Sequence, residues 1–309
     1  MWAGSTCINK SYIQAEPDTI KGTRQSLRPN EDCVPTSKKR LIKPFLIFLL
    51  FFSLSNCFCQ TAQKYELRIE LEQKADFIAL DKLSNLYLCD GSILYKYNQN
   101  GQLLYTYSAF SKGQISELDV LNPLKILVFS KDFMQLIFLD QKMAPIQTIS
   151  SLSDLNLYAP ACVCSSYDNG FWVYDEVLNQ LLRYDANRKM TNKSQLLSQI
   201  WEKKVRAISI KETESGCLVV NDLENGLLIF DRFGTYLKTI PIFANRLFFL
   251  GDRVLYAEGN LLKAIDIKTL QENSYPLPQT DILQVCIETK RMIVLTKEYK
   301  VRIYEFGGE

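Results

Sequence analysis

The chain has 309 residues, of which 47% are hydrophobic and 23% charged, the composition of a folded rather than a disordered protein. It contains no histidine, which excludes Ser-His-Asp and Cys-His catalysis and any His-ligated zinc site. Net charge is +2, but residues 1–59 carry eight Lys/Arg against four Asp/Glu, leaving the remainder at −2 with no basic run, so no nucleic-acid partner is expected.

Residues 1–37 are polar, interrupted by Pro17, Pro29 and Pro35, and without apolar periodicity. They read as a disordered extension or as residues upstream of the true translation start, and we favour the second. Residues 38–59 read as an export segment: Lys38, Lys39, Arg40 and Lys43 precede an apolar run from Phe45 to Ser55. That run is well short of the roughly 20 residues that span a bilayer comfortably. Three fates fit the residues. Cleavage after Cys59 would leave Gln60 first, an uncleaved segment would serve as an anchor, and Leu54-Ser55-Asn56-Cys57 resembles a bacterial lipobox in which Cys57 is the lipidation candidate. The lipobox departs from its usual pattern at Asn56, where a small residue is the rule. In each case the remainder lies outside the membrane, which it meets only through this segment. The expected location is periplasmic or envelope-associated.

Residues 60–309 repeat a unit of short strands. The third strand of each unit ends in an acidic or amide residue: Asn98, Asp140, Asp185, Asp231, Asp266 and Glu305. The spacings of 42, 45, 46, 35 and 39 residues are those of a four-stranded propeller blade. Second strands such as Leu86–Asp90, Phe171–Asp175 and Leu218–Asn221 are apolar and β-branched or aromatic, as strands buried between blades must be. The last unit lacks a fourth strand, while Tyr65–Leu71 is a spare one at the start. The predicted fold is all-β: a six-bladed β-propeller closed by an N-terminal strand that completes the last blade, which hides strand edges that would otherwise template aggregation.

Two units resemble NHL-type repeats. Asp175-Glu-Val-Leu-Asn179-Gln-Leu-Leu-Arg-Tyr-Asp185 is similar to their D-x-x-x-N core, and Asn221-Asp-Leu-Glu-Asn225 is similar with Asn replacing the first Asp. The resemblance, to NHL-like and TolB-like propellers, implies a fold and not an activity.

Five cysteines in this region, Cys89, Cys162, Cys164, Cys217 and Cys286, fall in predicted strands and read as small packing residues. Residues near the starts of the innermost strands form the expected channel rim: Asp76, Glu117, Asp119, Arg206, Asn245, Arg246 and Asp281. A carboxylate ring could hold Ca²⁺, as in lactonase-like propellers, but Arg206 and Arg246 oppose a cation there, so no metal and no cofactor is expected. Successive hairpins between second and third strands present Phe133, Met134, Val177, Leu178 and Leu223. The longest connection, Ser194–Lys204, places Leu196, Leu197, Ile200 and Trp201 at helical spacing with Ser194 as N-cap. These residues, Trp201 above all, form a candidate partner surface. The sequence therefore predicts an exported, non-enzymatic propeller that binds a protein or an envelope polymer. A Ca²⁺-dependent hydrolase and a structural subunit of an envelope complex are the alternatives.

Overall fold

Strands whose residues alternate between two apolar partners stack as layers, and that rule builds this chain. The computed structural model describes residues 65–109, 113–201 and 204–306. The 1–37 extension, the 38–59 export segment and Cys57 lie outside the described residues, and no described helix is long and apolar enough to cross a membrane.

The spare strand β1 (Tyr65–Leu71) is followed by blade one: β2 (Phe77–Leu80), β3 (Leu86–Asp90), β4 (Ile93–Tyr97) and β5 (Leu103–Ser108). Blade two is β6 (Glu117–Asp119), β7 (Ile126–Ser130), β8 (Gln135–Leu139) and β9 (Pro145–Ile149); blade three is β10 (Pro160–Ser165), β11 (Phe171–Asp175), β12 (Gln180–Tyr184) and β13 (Met190–Lys193). Blade four is β14 (Ala207–Glu212), β15 (Leu218–Asp222), β16 (Gly226–Phe230) and β17 (Tyr236–Ile240). Blade five is β18 (Phe248–Leu250), β19 (Arg253–Glu258), β20 (Leu261–Asp266) and β21 (Glu272–Pro276). Blade six is β22 (Ile282–Glu288), β23 (Arg291–Thr296) and β24 (Val301–Phe306), and β1 pairs antiparallel with β24 as its fourth strand. The six-bladed, N-terminally closed propeller is therefore the fold.

The core is divided into layers between neighbouring blades, and the second strands feed both sides by strict alternation. Leu86 and Leu88 pack toward blade six, whereas Tyr87 and Cys89 pack toward blade two. Phe171 and Val173 face blade two; Trp172 and Tyr174 face blade four. The closing layer joins Ile293 and Leu295 of blade six to Ile78 and Leu88 of blade one, with Leu71 and Ile69 of β1 in it. Cys89, Cys162, Cys164 and Cys286 are buried free thiols within these layers, and burial pushes the thiols of Cys162 and Cys164 well up.

The polar residue that ends each third strand has a physical reason. Asn98, Asp140, Asp185, Asp231 and Asp266 each accept two backbone N–H bonds from the turn that follows, as in Asp231 from Phe233 and Thr235 at 2.9 and 2.8 Å. Glu305 precedes no turn into a fourth strand, because its partner strand comes from the other end of the chain; among the described residues it pairs with Arg68 at 2.8 Å. These turns lie on the lower face. The upper face carries the hairpins between second and third strands and the links between blades.

The upper hairpins are pinned from beneath. Asp175 accepts from Val177 and Leu178 with one oxygen and from Tyr158 and Ala159 with the other. Asp222 repeats this with Glu224 and Asn225 on one oxygen and Arg206 on the other. The residue equivalent to Asp175 is thus Asp222 and not the preceding Asn221, because the blade-four hairpin is one residue shorter: Asp222 pairs with Gly226, Asp175 with Gln180. Gly226 has φ +93°, and a Cβ there would meet the Ile240 carbonyl oxygen at 2.6 Å.

The predicted helix after Ser194 is a single 3-10 turn, Leu197–Gln199, which Leu196 precedes without any side-chain cap. Ser194 is buried and does not cap it; its Oγ accepts from the Leu181 N–H at 3.0 Å and so ties the link to blade three.

Candidate functional site

An innermost strand pairs on one side only, so its other edge turns unpaired backbone groups toward the channel or the next blade. Each such group needs a partner. In this ring side chains of the neighbouring blade supply them. Glu117 Oε2 accepts from the Val163 N–H and Asp119 Oδ2 from the Ser165 N–H at 3.0 Å, so two alternate carboxylates of β6 buttress β10. Gln284 of blade six does the same for blade one, accepting from the Ile78 N–H at 3.0 Å and donating to the Ile78 carbonyl at 2.8 Å. Glu212 accepts from Ser166 Oγ at 2.7 Å and from Trp172 Nε1 at 2.9 Å.

The channel enclosed by these strands holds a cavity of about 750 Å³, walled in part by Phe77, Leu118, Ile208, Phe248 and Phe249. Its charges are largely spent on one another. Lys211 of blade four reaches past blade three to pair with Asp119. Lys82 of blade one and Glu214 of blade four, on opposite sides of the ring, pair at 2.7 Å across the lower mouth. Two groups remain. Glu117 keeps Oε1 buried without a hydrogen-bond partner, and burial pushes its carboxyl up to about 8 despite the Val163 N–H on the other oxygen. Arg246 makes no ion pair among the described residues; its guanidinium lies 5.5 Å from the centre of the Phe77 ring. Protein walls strip part of its hydration and lower its pKa, opposed by the charges of Asp76 and Glu117 nearby.

Of the residues placed on the rim by sequence, Glu117, Asp119, Asn245 and Arg246 line the cavity. Asp119 lies deeper than the rim, at the inner end of its short strand. Asp76 turns to the Gly91 N–H at 2.8 Å. Arg206 pairs outward with Glu224 at 3.4 Å, and Asp281 accepts from Gln279 at 2.8 Å. The carboxylates therefore do not converge, and no group of three metal-ligating side chains gathers among the described residues. Lys211, Glu212 and Gln284 escape sequence reading, although each is a polar break in an otherwise apolar inner strand.

The candidate partner residues divide into two kinds. Phe133, Val177 and Leu223 stand exposed at the tips of three successive hairpins on the upper face, at 55%, 67% and 40%. Met134 and Leu178 turn inward against the layer between blades two and three. Trp201 also packs inward, edge-on to Tyr236 at 4.8 Å and to Phe230 at 6.3 Å. Tyr158 and Phe243, on links between blades, add exposed rings to the same face.

No family model and no curated protein matches the chain. Solved structures do. Virginiamycin B lyase from Staphylococcus aureus superposes with TM-score 0.57 at 12% identity, covering 78% of this chain and 99% of that one. A catalytically inactive variant of it, in which a histidine is replaced by alanine, was solved with quinupristin and matches at TM-score 0.54 and 12% identity over 78% and 99% of the two chains. The WD40 domain of Pan2 from Neurospora crassa matches at TM-score 0.50 and 9% identity over 76% and 90%. Likeness at these identities shows the fold alone: a propeller shared by a lyase and a WD40 domain.

Proposed function

We propose that this chain is an exported, non-enzymatic propeller that binds a protein or an envelope polymer through its upper face. The observation that carries the reading is the row of exposed tips Phe133, Val177 and Leu223 on hairpins of blades two to four. Asp175 and Asp222 hold two of those hairpins from beneath, so the apolar anchors are presented already ordered and little flexibility is lost on docking. Ion pairs Lys131–Glu176 and Arg206–Glu224 frame them, the apolar centre and polar rim of a protein interface. The absence of any histidine in this sequence weighs against lyase chemistry of the neighbour whose activity a His replacement abolishes. A Ca²⁺-dependent hydrolase is disfavoured because Asp76, Glu117, Asp119 and Asp281 are turned to separate partners. Export rests on the basic and apolar run from Lys38 to Ser55, and the mass of the mature N-terminus tests it.

The deciding experiment is affinity capture from the cell envelope with the full chain and with its Phe133→Ser/Val177→Ser/Leu223→Ser variant. The parent should capture a partner and the variant should lose it while its thermal midpoint stays unchanged. An unchanged partner set would refute the surface.

A further inference from the structure

The channel carries a second site that the outer face does not explain. Its charges cancel in pairs, Asp119 with Lys211 and Lys82 with Glu214, and the carboxylate of Glu212 is consumed by Trp172 and Ser166. Arg246 alone is left as a cation with no carboxylate partner among the described residues, at the upper mouth and against the Phe77 ring. Phe77, Leu118, Ile208 and Phe248 supply an apolar wall beside it, and Ile208 is 40% exposed there. A guanidinium seated on an aromatic face keeps its planar fork free, the geometry that takes a carboxylate by two parallel hydrogen bonds. Few convergent polar groups set in an apolar cavity of this size mark a ligand site.

We propose that the upper channel binds a small amphipathic monocarboxylate, its carboxylate on Arg246 and its apolar body along Phe77, Leu118 and Phe248. Burial raises the Glu117 carboxyl, which lessens its repulsion of an anionic ligand; Asp76, turned to the Gly91 N–H, is the other carboxylate whose charge reaches Arg246. The same chemistry comes from two sources, a free carboxylic acid or the C-terminal carboxylate of a peptide ending in an apolar residue. The site stands independently of the upper-face reading.

Titration calorimetry on the full chain tests it, with 3-phenylpropanoate, its amide, 3-phenylpropylamine, and a short peptide ending in Phe as free acid and as amide. The acid forms should bind and the amides and the amine should not, and Arg246→Gln should weaken the acids by about ten-fold or more. Tighter binding of 3-phenylpropanoate would assign the site to free acids, and tighter binding of the peptide acid to chain ends; both uphold a carboxylate site. Acid and amide binding alike, no acid binding at millimolar concentration, or an unaffected Arg246→Gln variant would overturn it. If that variant does not fold, Ile208→Glu places a negative charge on the channel wall, and retention of acid binding by it would overturn the proposal equally.

Discussion

The layers between blades and the wall of the channel are made by adjacent strands of the same sheets, yet they follow opposite rules. In β11 every side chain is buried and apolar except the terminal Asp175, and the strand is paired on both sides. In β14, one strand's width nearer the axis, Ile208 is exposed while Glu212 is buried. The difference lies in the backbone. A paired strand asks only for apolar surface, whereas an edge strand also asks for hydrogen-bond partners, which its neighbour must supply from side chains. A propeller can therefore rest its stability in the layers and leave the channel wall free to vary.

The largest effect expected from this division is at closure. Removing Tyr65–Leu71 from the full chain strips β24 of its partner and opens the layer that contains Leu71 and Ile69. We expect no cooperative unfolding transition from this deletion. A soluble product with the parent's thermal midpoint would show that the ring does not need its N-terminal strand.

Next is Trp201, where the layer and the surface compete for one residue. Its ring lies edge-on to Phe230 and Tyr236, so Trp201→Ala should destabilise the domain by about 3 kcal/mol, the order seen for a truncated core aromatic. Captured partners should be unchanged. An unaltered midpoint with partner loss would move Trp201 from the layer to the binding surface.

Glu117 distinguishes the channel wall from the layers by its pH response. Its carboxyl is held at about 8 in the fold against 4.5 ordinarily, burial being the cause, with Asp119 adding to the rise and the Val163 N–H, Cys162 and Lys211 opposing it. The native state thus keeps a proton that the unfolded chain has released, so its contribution is full below the ordinary carboxyl range and is lost as pH rises toward 8. Glu117→Gln should match the parent near pH 4 and exceed it by about 4 kcal/mol at pH 8 in denaturant melts. A difference that does not change with pH would mean that the carboxyl titrates normally.

Much of this architecture was legible because it repeats. The third-strand ends at Asn98, Asp140, Asp185, Asp231 and Asp266 recur since each holds a turn through its own backbone, a local demand that leaves a local trace. The spare strand at Tyr65–Leu71 was legible by subtraction from the last unit. The buttresses were not, because Gln284 serves Ile78 and Lys211 serves Asp119, pairs set by the ring and separated by most of the chain or by a whole blade. For the same reason the rim read from strand starts mixes residues that face the cavity, such as Arg246, with Arg206 and Asp281, which serve their own blades. Helical spacing at Leu196–Trp201 misled since the same apolar set also suits one 3-10 turn pressed onto a layer.

The smallest expected effect tests the local demand directly, by comparing a turn-holding residue with its counterpart in the closing blade. Asp231 accepts N–H bonds from Phe233 and Thr235, and Gly234 at φ +88° completes the turn. Losing both bonds at a solvent-accessible turn lets water replace them, so Asp231→Ala should cost about 1 kcal/mol. Glu305 sits at the same place in its blade, and among the described residues it makes only an exposed pair with Arg68. Such pairs contribute little, and Glu305→Ala should lie within about 0.5 kcal/mol of the parent. Urea midpoints of the two variants at equal slope decide the matter. Equal losses at both positions would mean that the recurring polarity of the strand ends reflects surface charge, and that the turn bonds add nothing to the stability of the blade.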